Sequence, residues 1–394
     1  MSAPRTGGAP AGGGPGAAGP VRRLHVVGAG AVGTELAGLA VGRGLEVRLR
    51  DADAAVLARA LRELRARIAE DLARGRVAPP EAEARLARLR PTLEPAGLGL
   101  ADLAVEAVAE DLDAKRRVLA ELEVRMRPGA LLATATAELA VDDLAAGLQH
   151  PERFVGLHVP RPSGRGPLVE VVGGARTSAG TLAAAADLVR WLGRVPVVVR
   201  DSPGFAADRL LLAGLLEALR LLEDGYRAGD VDAALREFGM ARGPFATLRG
   251  MGLETAARRA GALARVFPER FAPLPRLDAL PSSGRLAALA RRRRPAPPGA
   301  LAERVVLAMV NEAAACLADG VVADAAAMDL VATHGAGFPP SRGGVLRHAD
   351  ALGLAHVEAR LLALRAEKGE RFRPVPLLTR LAADGATFAG PPAA

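Results

Sequence analysis

The stretch LHVVGAGAVGTELAGLAVGRGLEVRLRD, residues 24–51, decides the fold of this chain. An apolar run typical of a buried strand precedes Gly28, Gly30 and Gly33, and a second strand, which ends at Asp51, follows the intervening apolar-faced helical segment. This G-x-G-x-x-G order between a strand and a helix is typical of a dinucleotide-binding unit. The first glycine permits a tight turn, the second lets the backbone approach a pyrophosphate, and the third lets helix and strand pack closely.

The residues around the glycines indicate which dinucleotide binds. Ala31 and Val32 open the predicted helix, whose free N–H groups and dipole favour a phosphate. Asp51 can accept hydrogen bonds from a free ribose 2′-hydroxyl and would repel a 2′-phosphate, so we predict NAD rather than NADP. Arg48 and Arg50, on one side of the same strand, weaken that preference.

Composition excludes several classes of protein. The chain has 394 residues, half of them apolar, and a net charge of +8; this length suggests two or three domains. All but two of its 52 basic residues are Arg, scattered along a chain with only 3% aromatic residues. A nucleic-acid surface would concentrate charge and stacking aromatics, so we predict no nucleic-acid partner. The single cysteine, Cys316, excludes an intrachain disulfide and a cysteine-cluster metal site, and no apolar run is long enough to predict a membrane span.

The pattern of elements predicts an α/β fold followed by helices. Strands alternate with helices up to residue 200, which predicts a Rossmann-type domain with a mostly parallel sheet and a helical hairpin inserted after the second strand. From Ala206 onward every strong periodicity is helical, so all-α C-terminal modules are expected. The predicted segments are a disordered tail without signal-peptide character (1–20), an NAD-binding domain (21–200), a first helical domain (201–280), a linker (281–300) and a second helical domain (301–394). A cytoplasmic protein is expected.

The helical half contains a repeat. Residues 211–225, LLAGLLEALRLLEDG, align with residues 306–320, VLAMVNEAAACLADG, at a displacement of 95 positions, as from Glu217 to Glu312. The repeat predicts two related helical modules that pack against each other or across a dimer.

One histidine and one glutamate stand out in the nucleotide-binding half. His158 ends a predicted strand, where such folds place their ligands. Glu170 lies within the apolar strand LVEVV, and a carboxylate there is costly unless it is paired. If the two side chains form a pair, Glu170 would hold the imidazole tautomer and His158 would serve as a general base near neutral pH. The alternative is two unrelated polar residues.

With these motifs the chain resembles the L-3-hydroxyacyl-CoA dehydrogenases over nearly everything after residue 20. The similar stretches are VVGAGAVGTELA, DLAVEAVAEDLDAKRRVLAEL, PERFVGLHV, PLVEVV, PVVVRDSPGFAADRLL and GFPPSRGG. The last of them, with the second helical module, is similar to the dehydrogenase half of the multifunctional bacterial fatty-acid oxidation proteins, without their hydratase/isomerase domain.

The resemblance implies an NAD-dependent oxidation of L-3-hydroxyacyl-CoA to 3-oxoacyl-CoA in fatty-acid β-oxidation. His158 would take the proton of the C3 hydroxyl, and Glu170 would orient His158. Glu110 and Lys115 match cofactor-contacting positions, and Asp51 matches the ribose-binding one. The implied partners are an acyl-CoA substrate, a second copy of the chain in a homodimer through the helical domains, and a separate hydratase or thiolase.

Three substrate-binding positions depart from the family. Its substrate-binding serine is replaced by Ala137, and two of its asparagines are replaced by Arg161 and Asp208. The loss of one preorganised donor can cost roughly 10²–10³ in rate. The sequence therefore leaves three alternatives: a weakened dehydrogenase, a non-catalytic paralogue that binds NAD or acyl-CoA as a partner subunit, and a dehydrogenase for a 3-hydroxy acid without CoA.

Overall fold

A computed structural model describes residues 21–160, 166–272 and 299–390. Its first part is one eight-stranded sheet in the order β3-β2-β1-β4-β5-β6-β7-β8. All pairings are parallel except the antiparallel pairing of β6 with β7. The strands are β1 (Arg23–Val27), β2 (Glu46–Arg50), β3 (Leu89–Thr92), β4 (Leu103–Glu106), β5 (Leu131–Thr134), β6 (Phe154–His158), β7 (Leu168–Gly173) and β8 (Val195–Arg200). This sheet confirms the predicted α/β, Rossmann-type architecture.

Helices cover the sheet, and two of them form the predicted inserted hairpin. The helices of this part are α1 (Ala31–Gly42), α2 (Ala54–Ala73), α3 (Pro79–Arg88), α4 (Leu112–Arg125), α5 (Val141–Ala145) and α6 (Ala179–Trp191). The sequence analysis did not predict β3, which begins at Leu89 directly after the hairpin's second helix. This four-residue strand contains Pro91, which lacks an N–H donor and is tolerated because β3 lies at the edge of the sheet.

The sheet topology brings His158 and Glu170 next to each other. The carboxyl ends of the neighbouring parallel strands meet at one edge of the sheet, where α/β folds bind their ligands. His158 ends β6 at that edge, and Glu170 lies directly opposite it in β7. Because β7 runs antiparallel to β6, its first half lies alongside the end of β6.

The second part of the chain is helical. Its helices are α7 (Ala207–Glu223), α8 (Ala228–Phe238), α9 (Pro244–Met251), α10 (Leu253–Val266), α11 (Ala300–Ala318), α12 (Ala325–His334), α13 (Val345–Leu352), α14 (Leu354–Lys368) and α15 (Pro376–Ala383). Nearly all of the predicted linker lies outside the described residues. Helices α7 and α11 are buried along most of their lengths and pack against each other within the chain. Among the described helices, none is both long and apolar enough to cross a membrane.

Each helical module supplies an arginine that forms ion pairs with acids of the other module, at equivalent positions of the repeat. Arg209 of α7 donates to Glu312 over 2.6 Å and to Asp319 over 2.9 Å. Arg304, 95 positions further on, pairs in return with the equivalent acids of the first module, Glu217 and Asp224. The two modules of the internal repeat therefore make equivalent ion pairs with each other.

Candidate active site

The glycine-rich turn between β1 and α1 has the shape that a dinucleotide requires. Gly28 has φ +108°, and a Cβ there would lie 2.4 Å from the Ala107 carbonyl oxygen. A Cβ on Gly33 would lie 1.8 Å from the Gly28 oxygen, whereas a Cβ on Gly30 would meet no atom within 4 Å. Gly28 and Gly33 are thus required by packing, and Gly30 borders open space at the N-terminus of α1, beside Ala31 and Val32. This arrangement fits a bound pyrophosphate.

Asp51 is held beside this turn. Its Oδ2 accepts a hydrogen bond from the Ala29 N–H at 2.7 Å, and its Oδ1 accepts one from the Asp53 N–H at 2.9 Å. Arg50 points to α4, where its Nη1 lies 2.9 Å from a Glu121 carboxylate oxygen, and Arg48 lies against Gly97. Arg50 is engaged by Glu121, and a carboxylate beside the turn suits the 2′-hydroxyl of NAD; the contact of Asp51 with the ribose stays a prediction.

Lys115 and Glu110 brace the ends of β4 and β5. The fully buried ammonium of Lys115 lies 3.0 Å from Glu106 and 3.8 Å from Glu110. Glu110 in turn accepts hydrogen bonds from the Thr136 hydroxyl at 3.0 Å and from the Ala137 N–H at 2.6 Å. These contacts tie together the two loops that follow the strands, and the contact of Lys115 and Glu110 with the cofactor stays a prediction.

The sequence analysis missed Glu106. It is fully buried and also accepts a hydrogen bond from the Thr134 hydroxyl at 2.6 Å. A carboxylate within the apolar stretch DLAVEAV is the same sign that singled out Glu170, so this residue could have been found.

His158 and Glu170 form a buried pair. The Nδ1 atom of His158 lies 2.6 Å from Oε2 of Glu170, and the two residues are 2% and 0% exposed. The other carboxylate oxygen, Oε1, accepts hydrogen bonds from the backbone N–H groups of Ala206 (3.0 Å) and Ala207 (2.9 Å) where α7 begins. Since the carboxylate can only accept, Nδ1 carries the proton of the neutral ring and Nε2 is left as the basic atom.

The surroundings of His158 favour its protonated form. Burial by itself would lower its pKa, but the hydrogen bond to Glu170 and the negative charges of Asp208 and Glu170 outweigh burial and the opposing charge of Arg259. The net effect raises the pKa of His158 above its ordinary value.

The Nε2 atom of His158 is buried and has no hydrogen-bond partner among the described residues, and the ring packs against Phe205, with 5.2 Å between the ring centroids. Phe205 has φ +47°, an uncommon conformation for a residue with a side chain.

The three departures from the family pattern have different outcomes. Ala137 offers only its backbone N–H, which Glu110 accepts, and Arg161 lies outside the described residues. Asp208, the second residue of α7, is 1% exposed, and its Oδ2 lies 2.7 Å from Nη1 of Arg259. The sequence did not indicate a role for Arg259, because it is one of many scattered arginines.

Comparison with known proteins identifies the family. The model of the 3-hydroxyacyl-CoA dehydrogenase NAD-binding domain matches residues 23–202, and the model of the C-terminal domain of these enzymes matches twice, at residues 204–293 and 299–388. The double match agrees with the repeat of helical modules.

Solved structures agree. The 3-hydroxybutyryl-CoA dehydrogenase of Escherichia coli K12 is 25% identical, with a TM-score of 0.84 over 93% of this chain and 99% of that one. M. tuberculosis FadB2 is 30% identical, with a TM-score of 0.62 over 66% of this chain and 93% of that one. The dehydrogenase part of C. elegans multifunctional enzyme 1, 21% identical, shares the fold, with a TM-score of 0.63 over 91% and 89% of the two chains. The chain therefore belongs to the 3-hydroxyacyl-CoA dehydrogenase family and is an NAD-dependent oxidoreductase.

Proposed function

We propose that the protein oxidises the C3 hydroxyl of an L-3-hydroxyacyl-CoA to a 3-oxoacyl-CoA, as a step of fatty-acid β-oxidation in the cytoplasm. The observation that carries the proposal is the buried His158–Glu170 pair at the ligand-binding edge of the sheet, with Nε2 left as a base. The similarity to 3-hydroxybutyryl-CoA dehydrogenases supports the choice of substrate class.

In the proposed mechanism His158 handles the proton. Its Nε2 takes the proton of the C3 hydroxyl while the C3–H electron pair leaves as hydride, so that the C3–O single bond becomes a carbonyl. The glycine turn and Asp51 would hold NAD, which would supply the acceptor for that hydride. Glu170 keeps its negative charge beside the imidazolium, and the two N–H groups at the start of α7 hold it in place. In reduction, the imidazolium returns the proton.

A second candidate, a non-catalytic paralogue that binds NAD or acyl-CoA as a partner subunit, is favoured by a specific observation. Position 137 has no side-chain donor, and position 208 carries a carboxylate that is already paired with Arg259. Both changes remove neutral groups that hold the substrate in the family.

NADH formation distinguishes the two candidates. We would compare wild type, His158→Ala and a control, His356→Ala, in which an exposed histidine of α14 is removed, with L-3-hydroxybutyryl-CoA and a long-chain homologue as substrates. The loss of a general base should lower kcat by about 10²–10⁴ in His158→Ala alone. If wild type shows no turnover above His158→Ala while it still binds NAD, the non-catalytic paralogue becomes the better proposal.

Assembly is a separate part of the proposal. We propose a homodimer that forms through outer faces of the helical modules, because the facing sides of α7 and α11 are already buried against each other within one chain. Light scattering coupled to size exclusion, with and without a hydratase or thiolase partner, would test it.

A further inference from the structure

Charged side chains lie at or beside two positions where the family's neutral substrate-binding groups are missing, 137 and 208. Arg259 of α10 donates through Nη1 to Asp208 of α7 over 2.7 Å and through Nε to Glu138 over 3.3 Å. Glu138 directly follows Ala137 in the loop after β5, and Arg258 grips the same carboxylate with two bonds of 2.8 and 2.7 Å. Arg259 therefore contacts one altered position, Asp208, and the residue that follows another, Ala137.

This cluster lies next to the catalytic pair. Asp208 follows directly after the two backbone N–H groups that hold Glu170, and the charges of both Asp208 and Arg259 act on the His158 ring. Two buried atoms, Oδ1 of Asp208 and Nε2 of His158, have no hydrogen-bond partner among the described residues. Because buried polar atoms are nearly always hydrogen-bonded in folded proteins, these two atoms have bonding capacity left for water or for polar groups of a ligand.

Arg259 retains the capacity to bind such a ligand. A guanidinium group has five N–H donors, and the contacts with Asp208 and Glu138 use its Nη1 and Nε atoms. None of the described residues accepts a bond from its Nη2 atom, and the side chain is 19% exposed, so part of the guanidinium-bearing side chain is open to a ligand. A planar fork of this kind recognises carbonyl and carboxylate oxygens well.

We propose that Arg259, anchored by Asp208 and Glu138, binds the C1 oxygen of the 3-hydroxyacyl substrate and supplies the donor that positions 137 and 208 no longer provide. This inference rests on the proposed function and adds a specificity-determining residue to it. Asp208 then has a clear purpose, since its carboxylate balances a guanidinium that is largely removed from water. The C1 oxygen belongs either to a CoA thioester or to a free 3-hydroxy carboxylate, and the experiment separates the two.

The repeat offers a matched control. Glu303, 95 positions after Asp208, pairs with Arg360 through two bonds of 2.8 and 2.9 Å. This pair joins α11 and α14 of the second module, as Asp208 and Arg259 join α7 and α10 of the first. Arg360→Met therefore removes a more exposed arginine–carboxylate pair of the second module without touching His158.

The test compares Arg259→Met and Arg360→Met in the full chain with NAD present. Calorimetric binding of L-3-hydroxybutyryl-CoA and of free L-3-hydroxybutyrate is measured with kcat and KM for both. Arg259→Met should raise Kd and KM roughly 10- to 100-fold for the true substrate, the range expected for a charge-assisted hydrogen bond, with a smaller change in kcat. Arg360→Met should stay within about twofold of wild type, because Arg360 pairs with Glu303 and not with Asp208 or Glu138. The compound that wild type binds more tightly identifies the source of the oxygen.

The outcomes that overturn the inference are distinct from failure of the proposed function. Equal binding by wild type and Arg259→Met, equal weakening in Arg360→Met, or no binding of either compound by wild type overturns it. If wild type binds the thioester without oxidising it, the proposed function fails while the binding comparison still decides the role of Arg259. If Arg259→Met does not fold, Arg259→Lys keeps the charge but not the planar fork, and it should show the same weakened binding.

Discussion

Replacing Glu170 by Gln changes the site by one functional group and leaves its shape intact. The carboxylate serves two sides at once: Oε2 accepts from Nδ1 of His158 at 2.6 Å, and Oε1 accepts from the N–H groups of Ala206 and Ala207 at 3.0 and 2.9 Å. An amide has only one accepting atom, so glutamine can satisfy only one side.

The size of the effect follows from these contacts. If the amide oxygen stays on the two backbone N–H groups, the amide NH₂ faces Nδ1 and the ring must carry its proton on Nε2, where it cannot act as a base. If the amide flips, two buried N–H groups at the start of α7 lose their acceptor, at about 1–3 kcal/mol each. The competent arrangement is therefore disfavoured by about 2–6 kcal/mol, and kcat should fall by roughly 10²–10⁴. The same change beside the catalytic histidine of serine proteases costs about 10⁴.

The assay is NADH formation from L-3-hydroxybutyryl-CoA at saturating NAD, with thermal unfolding and NAD affinity measured on the same preparations. NAD affinity should not change, because Glu170 lies in β7 and not in the glycine turn. A folded Glu170→Gln protein whose kcat stays within about threefold of wild type would refute the assignment of Nε2 as the base through this tautomer.

Three other changes test separate parts of the structure. A methyl group on Gly33 would lie 1.8 Å from a backbone oxygen, whereas a methyl group on Gly30 would meet nothing within 4 Å. Gly33→Ala should therefore lower the unfolding temperature, and Gly30→Ala should weaken only NAD binding. Equal unfolding temperatures for the two variants would contradict this. Arg304→Met removes one of the cations that bind Glu217 and Asp224, which keep Arg371 and Lys368 as partners. It should cost about 1–3 kcal/mol of unfolding free energy in urea titrations, the range for hydrogen bonds to charged groups; a change below about 0.5 kcal/mol would argue against it. The negative charge of Asp208 helps to raise the pKa of His158, and the neutral ring is the base. Asp208→Asn should therefore lower the pKa of His158 and move the acid limb of the kcat/KM profile for oxidation to lower pH. An acid limb that does not move would count against this.

Much of the nucleotide-binding half could be predicted because its signals are local. Glycine spacing, strand periodicity and the acid at the end of β2 are properties of contiguous residues, so the fold class and the NAD turn could be inferred from them. The edge strand β3 escaped prediction because four residues that include Pro91 have no alternating pattern. Its pairing depends on β2, which lies 39 positions earlier at its nearest residue, Arg50.

In the helical half, too, some features could be predicted from the sequence and others could not. The repeat predicted two related modules, and the matching acids were visible in the alignment. Their partners were not, because Arg209 and Arg304 each bond to acids of the opposite module, about a hundred positions away. Ion pairing of this kind is decided by how α7 and α11 pack, and among 50 arginines no single one stands out in the sequence.

The sequence by itself determined that this chain folds around a dinucleotide turn and that His158 and Glu170 were unusual for their positions. The tertiary structure decided that the reversal of β7 places them opposite each other, and that the start of α7 fixes the second carboxylate oxygen. It also decided that Asp208 is balanced by Arg259, a residue 51 positions away on another helix. Side-chain chemistry and local periodicity are written along the chain, but the pairing of charges depends on distances in space, which only the packed structure sets.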